Sequence, residues 1–238
     1  MNLIQDVRMK GAGNLFLIHV GDCDTDKLLN NLGGADGLLI VSEDQEADAN
    51  MRIINADGRE AEQCGNGLRC VALHLLRSRI VDKNEISIKT LSGMNKCVVH
   101  IDLNQVEVTM CVPREEKHLV SEYPNLVYVN MGNPNAVFWT ENDPIQVRSE
   151  LGKYISEHTA FVNGMNVHFA RRDREQYATS ASFERGVGNT LSSGTGGASV
   201  FVASGNRGLF HVSSVGGTLT YRYNESGEVV MSGPASYE

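Results

Sequence analysis

The chain has 238 residues, of which 41% are hydrophobic and 21% charged, and its net charge is −8. This length allows one large domain or two domains of about 100–150 residues each. The composition is ordinary for a globular protein, and the acidic balance, without any cluster of basic residues, excludes broad electrostatic capture of nucleic acid.

Strands predominate in the first half of the chain, where short apolar runs are bounded by turn signals. The predicted strands cover 15–20, 37–43, 51–56, 86–91, 96–102 and 105–112. Helices are predicted over 24–31 and 65–79. The second of these carries five apolar residues at helical spacing, which are Leu68, Val71, Ala72, Leu75 and Leu76.

The same pattern restarts in the second half. Strands are predicted over 126–131, 136–141, 164–172, 177–186, 208–214, 217–223 and 228–233, and helices over 144–156 and 194–205. The charged stretch 112–124, which contains two prolines, is interpreted as a linker. We therefore predict two domains, 1–113 and 114–238, and leave open whether the last strand crosses back to the first.

The five cysteines are too few and too irregular for a disulfide framework. Their count is odd, and they are Cys23, Cys64, Cys70, Cys97 and Cys111. This pattern predicts a reducing, cytoplasmic location. The sequence has neither a CxxC pair nor an HExxH motif, so no metal site is predicted. The first ten residues lack a signal-peptide core, and no window approaches the roughly 20 apolar residues of a membrane span.

Two helices begin with the same Gly-x-Gly pattern. Residues 65–67 follow Cys64, and residues 194–196 follow Ser193. Unpaired amides at a helix start form an anion site, and glycine lets a ligand approach the backbone. A single such motif is explained by a tight turn, but two at matched positions favour a function. At the edge of a helix, Cys64 is predicted to favour the thiolate, which can take an α-proton. The alternative is a buried filler, our interpretation of Cys70.

Several blocks of the sequence resemble, in the same order, blocks of the diaminopimelate epimerases, which are PLP-independent amino-acid epimerases. The most specific are NADGREAEQCGNGLRCVA at 55–72 and ERGVGNTLSSGTGGAS at 184–199. The shorter blocks are MKGAGNLF at 9–16, GGADGLL at 33–39, VNMGNPNAV at 129–137, GMNVHF at 164–169 and MSGPA at 231–235. The resemblance spans essentially the whole chain.

The resemblance implies a fold and an activity. The fold is α/β (α+β), with two similar domains, each a curled mixed sheet wrapped around a central helix, and the site between them. The activity is conversion of LL- to meso-diaminopimelate, for lysine and peptidoglycan biosynthesis, by two cysteines that act on opposite faces of the α-carbon. The resemblance implies no cofactor and a small amino acid as the partner. Because the family often forms dimers, a homodimer is a candidate assembly.

The resemblance also assigns roles to residues of this chain. Cys64 matches one acid/base cysteine, and the reacting carboxylate would be held by Gly65, Asn66, Gly194 and Thr195. The remaining substrate-binding positions are Asn14, Asn55, Asn133, Asn166, Glu184 and Arg185. Among these, Arg185 suits the distal carboxylate of the substrate through a bidentate fork, and the asparagines can both donate and accept hydrogen bonds.

The sequence departs from the family at the second cysteine, whose position is held by Ser193. A hydroxyl holds its proton far more tightly than a thiol. No base lies beside Ser193 in sequence, and His168 and His211 are too distant in sequence to assign as its activator. Further departures are Asn135 in place of a histidine, together with Leu15, Asn189, Ser192 and Gly197.

Three hypotheses therefore stay open. The first is the family epimerisation, impaired by an exchange of cysteine for serine. The second is a one-base isomerase or lyase that uses Cys64 alone on a related amino acid. The third is a non-catalytic amino-acid-binding homologue. We place the family reaction first, because the first helix start and the positions for the distal carboxylate are intact.

Overall fold

The computed structural model describes residues 6–116 and 122–238. The chain divides into two compact units. The first contains the residues up to Thr109 together with Ser232–Glu238, and the second contains Met110–Met231. Residues 117–121 of the predicted linker lie outside the described residues.

The first unit is a mixed sheet packed on one long helix. Its strands are β1 (Val7–Gly11), β2 (Asn14–Val20), β3 (Gly37–Ser42), β4 (Ala49–Asn55), β5 (Glu60–Ala61), β6 (Glu85–Thr90), β7 (Gly93–His100) and β8 (Gln105–Thr109). Its helices are α1 (Thr25–Leu29) and α2 (Gly65–Arg77), with a 3₁₀ turn at Ile101–Leu103. The strands pair in the order β1–β2–β3–β4–β6–β7–β8, with β5 also on β4. The pairs β2/β3 and β4/β6 are parallel.

The second unit repeats this arrangement. Its strands are β9 (Arg114–Glu116), β10 (Leu126–Asn130), β11 (Pro134–Trp139), β12 (Asn166–Arg174), β13 (Tyr177–Glu184), β14 (Gly188–Thr190), β15 (Phe210–Ser214), β16 (Gly217–Tyr223) and β17 (Val229–Pro234), which runs into the first unit. Its helices are α3 (Pro144–Ser156) and α4 (Gly194–Ala203). The order is β9–β10–β11–β12–β13–β15–β16, with β14 also on β13. The pairs β11/β12 and β13/β15 are parallel.

A short strand adds to the first hairpin of each unit. The final strand β18 (Ser236–Tyr237) pairs with β1, just as β9 pairs with β10. Each unit thus alternates antiparallel pairs with parallel steps, and α2 and α4 occupy equivalent places in that order. Each helix packs against at least six strands of its own unit.

The two central helices meet their surroundings with different side chains. From Asn66 to Leu75 every residue of α2 is buried, so its apolar side chains are covered on all sides. The first six residues of α4, 194–199, are small. A Cβ added at Gly197 would overlap the Tyr221 hydroxyl. The small residues therefore let rings from the sheet approach the α4 backbone.

The observed elements correct several predicted boundaries. The predicted strand 96–102 ends at His100, because a 3₁₀ turn follows, and the predicted strand 105–112 ends at Thr109. The short strands β1, β5, β9, β14 and β18 were not predicted. Within the part of the chain that the structure describes, no helix is long and apolar enough to cross a membrane.

Candidate active site

Cys64 is the N-cap residue of α2, where the sequence predicted it. Its backbone is extended, with φ −147° and ψ 101°, and its Sγ accepts a hydrogen bond from the amide of Gly67 at 3.3 Å. The partial positive charge of the helix N-terminus therefore points at the sulfur. Gly65 and Asn66 form the first turn beside it, where backbone amides lack helical partners.

Cys70 lies on the same helix but in a different environment. Its side chain is fully buried, and burial raises the pKa of Cys70 to about 12. A thiol in that state is not a nucleophile at neutral pH. The interpretation of Cys70 as a core filler is confirmed. Burial likewise raises the pKa of Cys97 to about 12.

The asparagines of the first unit form a chain of hydrogen bonds at the start of α2. Asn66 Nδ2 donates to Asn14 Oδ1 at 2.7 Å, and Asn14 Nδ2 donates to Asp36 Oδ2 at 3.2 Å. At the other end, Arg69 Nη2 donates to Asn66 Oδ1 at 2.8 Å. The structure thus brings two predicted site residues together and adds Asp36 and the fully buried Arg69, which the sequence did not single out.

Asn55 stands apart from this chain of hydrogen bonds. It is the last residue of β4, and its side chain is exposed. Its carbonyl accepts from the amide of Gly58 at 2.9 Å, and its amide donates to the carbonyl of Arg59 at 2.9 Å. The backbone is therefore fixed in a tight turn, while the amide side chain faces solvent.

Ser193 caps α4 as Cys64 caps α2. Its backbone is also extended, with φ −134° and ψ 120°, and its Oγ accepts from the amide of Gly196 at 3.0 Å. Gly194 and Thr195 form the first turn, and Thr195 Oγ1 accepts from Asn133 Nδ2 at 3.3 Å. In both units, therefore, the second helical residue is hydrogen-bonded to an asparagine at the tip of a β-hairpin, in the turn for Asn133 and directly after it for Asn14.

Glu184 supplies the carboxyl group that the sequence did not place beside Ser193. Its side chain lies next to that of Ser193. Burial raises the pKa of Glu184, and the neighbouring Ser193 hydroxyl lowers it by a smaller amount. The contact arises because the chain turns back after β13, so that Glu184 pairs with Gly188. Since the amide of Gly196 donates to Ser193 Oγ, the hydroxyl proton is available to the carboxylate.

Asn166 and Arg185 are neighbours in the structure. The amide of Arg185 donates to Asn166 Oδ1 at 3.1 Å. The guanidinium of Arg185 donates to the carbonyl of Asn163 at 3.1 Å, and the residue is exposed. The buried Asn166 thus holds the backbone of Arg185 in place. The guanidinium uses one group to contact Asn163, and most of its donors stay available.

His168 is the functional candidate that sequence distance concealed. It lies on β12, fully buried, and a Cβ at Gly196 would overlap its ring. The imidazole therefore packs directly under the first turn of α4. By contrast, His211 is hydrogen-bonded to Thr220 Oγ1 at 3.0 Å and stacks on Tyr177. A useful signal would have been the polar residues Asn135 and His168 within the apolar stretches 134–139 and 167–170 of two strands.

The described residues contain no group of three or more His, Cys, Asp or Glu side chains arranged to hold a metal ion. The side chains at the two helix starts instead offer proton transfer and hydrogen bonding. The thiol of Cys64 lies at the N-terminus of α2, and the hydroxyl of Ser193 lies beside the carboxyl group of Glu184 at the N-terminus of α4. Each of the two helix starts suits proton transfer next to a carboxylate.

Comparison with known proteins agrees with this chemistry. The sequence model of the family described as "Diaminopimelate epimerase" matches residues 9–115 and 127–238. The diaminopimelate epimerase of Bacillus subtilis is 31% identical over 99% of this chain and 96% of its own length. That of Methanococcus maripaludis is 33% identical over 85% of this chain and 82% of its own length.

Solved structures share the fold at low sequence identity. A phenazine biosynthesis protein of the PhzF family from Bacillus anthracis has a TM-score of 0.77 at 16% identity, covering 100% of this chain and 97% of its own. A probable proline racemase from Agrobacterium radiobacter with bound carbonate has a TM-score of 0.71 at 16% identity, covering 98% and 90%. The predicted fold class, α/β with two similar domains, is confirmed.

Proposed function

The chain belongs to the diaminopimelate epimerase family and is an enzyme of the isomerase class, and we propose that it interconverts LL- and meso-diaminopimelate. The reaction inverts one α-carbon and serves lysine and peptidoglycan biosynthesis. The observation that most directly supports the proposal is the thiol of Cys64 at the N-cap of α2, beside backbone amides suited to a carboxylate.

The first half of the reaction is removal of the α-proton. As a thiolate, Cys64 takes the proton from carbon, and the electron pair of the C–H bond is delocalised into the adjoining carboxylate. Hydrogen bonds from backbone amides strengthen as that negative charge grows, so they stabilise the transition state more than the bound substrate. Gly65 and Asn66, with Gly194 and Thr195, are the residues proposed to supply them.

The second half is return of a proton to the opposite face. We assign this step to Ser193, which gives its hydroxyl proton to carbon and takes one from Glu184. In the reverse direction the proton moves from carbon to Ser193 as Ser193 gives its own to Glu184. A serine alone is a poor base, but a carboxyl group with a raised pKa can hold the proton between steps. The position of the two side chains next to each other supports this pairing.

The distal end of the substrate carries a second ammonium and a second carboxylate. Arg185 is the proposed partner of that carboxylate, because its exposed guanidinium keeps donors available. Asn14, Asn55, Asn133 and Asn166 are proposed to complete recognition of the substrate. Their amide groups can serve both carboxylate and ammonium groups.

One observation favours a second candidate function. The hydroxyl of Ser193 replaces the thiol that the family resemblance calls for, so only Cys64 is a strong base on its own. An enzyme with one base would shift a double bond or eliminate a β-substituent of a related amino acid. A non-catalytic binding protein is the third hypothesis.

Incubation of the protein with LL- or meso-diaminopimelate in D₂O separates the three. Chiral chromatography with mass spectrometry follows deuterium at the α-carbon and the configuration of each product. The proposal predicts deuterium together with inversion from either isomer. Exchange without inversion, or an unsaturated or keto product, would favour the one-base enzyme. Absence of exchange with a ligand-induced rise in melting temperature would favour the binding protein.

The variant Ser193→Cys sharpens this test. A thiol at this N-cap would be a competent acid and base without help, so inversion should become faster by up to about 10²–10⁴-fold, the usual contribution of one general acid/base group. An unchanged rate would show that Ser193 with Glu184 is already sufficient or that the step lies elsewhere. A cytoplasmic location and a homodimer stay predictions, which cell fractionation and light scattering would test.

A further inference from the structure

A file of five hydrogen-bonded side chains runs from β13 to the start of α4. It joins Ser182 Oγ to His168 Nδ1 at 2.8 Å and His168 Nε2 to Asn135 Oδ1 at 2.9 Å. It continues from Asn135 Nδ2 to Asn133 Oδ1 at 2.8 Å and from Asn133 Nδ2 to Thr195 Oγ1 at 3.3 Å. The first three members, Ser182, His168 and Asn135, are at most 5% exposed.

One backbone contact shows the direction of every hydrogen bond in the file. Asn135 Nδ2 also lies 2.8 Å from the carbonyl of Asn133, and a carbonyl can only accept. The amide nitrogen of Asn135 must therefore face Asn133, and its oxygen must face His168. It follows that the side-chain oxygen of Asn133 accepts and that its nitrogen faces Thr195.

The same contact fixes the tautomer of His168. Because the side-chain oxygen of Asn135 accepts, the ring nitrogen Nε2 carries the hydrogen. Nδ1 is then an acceptor and receives the hydroxyl proton of Ser182. Burial of the ring lowers the pKa of His168 to about 3, which is consistent with a neutral imidazole at physiological pH.

We propose that His168 is a positioning residue that, together with the carbonyl of Asn133, holds the donor direction of Asn133 and Thr195 at the α4 N-terminus. With Asn133 donating to Thr195 Oγ1, the Thr195 hydroxyl proton is left to donate to a ligand carboxylate. The inference deepens the proposed function and rests on it, because Asn133 and Thr195 are residues of the proposed substrate site.

Loss of the imidazole donor would remove the hydrogen bond that holds the side-chain oxygen of Asn135 in this orientation. Without the ring, the side-chain oxygen of Asn135 would be a buried acceptor lacking its main donor, since Asn166 Nδ2 lies farther away, at 3.5 Å. Only the carbonyl of Asn133 would then oppose rotation of the Asn135 amide, and with it of the Asn133 amide. A carbonyl oxygen at the start of α4 would repel a carboxylate where a donor should attract it. Loss of one hydrogen bond to a charged group corresponds to about a 10- to 100-fold loss of affinity.

The first experiment records the nitrogen NMR spectrum of the histidine rings in the intact protein labelled with ¹⁵N-histidine, at pH 7. His168→Gln identifies the resonances of His168 by their disappearance. The inference predicts a neutral ring with hydrogen on Nε2 and an unprotonated Nδ1. A ring that is charged, or that carries hydrogen on Nδ1, would overturn it whatever the enzyme's activity.

The second experiment compares His168→Gln with His168→Leu in the deuterium-exchange assay. Glutamine can donate to Asn135 and accept from Ser182, whereas leucine fills the space without either bond. We expect His168→Leu to raise KM about 10- to 100-fold with a smaller change in kcat, and His168→Gln to recover most of the loss. His211→Leu, on another strand of the same unit, is the control and should leave KM unchanged.

The outcomes separate the inference from the proposed function. Equal KM values for wild type, His168→Leu and His168→Gln, in an active enzyme, would overturn the positioning role and leave the function standing. If the wild type exchanges no α-proton, the proposed function is rejected, while the ring spectrum still decides the direction of the hydrogen-bond file. If His168→Leu fails to fold, His168→Gln and Ser182→Ala carry the test. Loss of the Ser182 hydroxyl should then raise KM more than the glutamine variant does.

Discussion

The starts of α2 and α4 have the same backbone and different chemistry. Each N-cap is extended and accepts a hydrogen bond from the amide three residues on, at 3.3 Å for Cys64 and 3.0 Å for Ser193. In each unit an asparagine at the tip of a β-hairpin is hydrogen-bonded to the second residue of the helix. The repeated topology therefore reproduces the geometry of a helix start, while the side chains decide what that start can do.

The hydrogen-bond files behind the two starts differ in charge. In the first unit the file runs from the cation of Arg69 through Asn66 and Asn14 to the carboxylate of Asp36. In the second unit it is neutral and begins at Ser182 and His168. Charge-assisted hydrogen bonds are stronger than neutral ones, so the amide beside the thiol is held more firmly.

The largest expected effect comes from making the two caps alike. Cys64→Ser keeps an acceptor for the Gly67 amide but removes the thiolate. We expect α-proton exchange to fall about 10²–10⁴-fold, the usual contribution of a general base, with KM changed far less. Steady-state exchange in D₂O at saturating substrate measures it.

Cys23→Ser is the matched control for this change. Cys23 is half-buried and lies on the loop before α1, away from either helix start in sequence. The Cys23→Ser variant should therefore exchange the α-proton at the wild-type rate. A Cys64→Ser protein that keeps wild-type turnover would remove the thiol from the mechanism.

A smaller effect is expected when the glycine at the third position of each helix is replaced by alanine. The loss of stability should differ between Gly67 and Gly196. A Cβ at Gly196 would overlap the ring of His168, which both of its nitrogens hold in place, so we expect Gly196→Ala to cost about 3 kcal/mol. A Cβ at Gly67 would lie 3.1 Å from a methyl group of Leu39, the mobile end of a side chain. Gly67→Ala should therefore cost less, because the gain in helix propensity offsets part of the crowding. Urea unfolding of both variants measures the difference, and equal losses would contradict the packing described for His168.

The smallest expected effect is the response of the second unit to acid. Burial lowers the pKa of His168 from 6.5 to about 3. Between these pH values the ring is protonated in the unfolded chain and neutral in the folded unit. The contribution of the neutral ring to the free energy of unfolding is fully present above pH 6.5 and is lost as the pH falls from 6.5 toward 3. It amounts to about 2 kcal/mol between pH 7 and pH 5. Glu184, whose pKa burial raises, acts in the opposite direction.

Trp139 gives this pH effect a local probe. It is the single tryptophan of the chain and lies on β11 in the second unit, so its fluorescence in urea reports that unit. His168→Gln removes the titrating ring and should flatten the loss of stability between pH 7 and pH 5. The same slope in the variant and the wild type would assign the acid response to other groups.

The sequence predicted most of the regular structure and the part of the site that depends on local signals. Glycine after a capping residue indicated the starts of α2 and α4, and apolar runs indicated the longer strands. β1 was missed because VRMKG has too few apolar residues to signal a strand. Its pairing with β2 and with β18, more than 220 residues away, is what places it in the sheet.

The parts of the site that escaped prediction depend on contacts between distant strands. His168 meets Asn135 only because β11 and β12 run side by side in parallel, with Asn135 opposite Asn166. Glu184 meets Ser193 only because β14 folds back on β13. Neither register is encoded in spacing along the chain, so side chains nine or 33 residues apart could not be paired in advance.

Alkylation of Cys64 tests the central claim most directly. Iodoacetamide is added to the intact enzyme with and without diaminopimelate, and peptide mass spectrometry follows each cysteine beside the exchange activity. We expect Cys64 to react before the buried Cys70 and Cys97, the amino acid to slow that reaction, and activity to fall in proportion to the alkylated fraction. Full alkylation of Cys64 with turnover and ligand affinity intact would contradict the account.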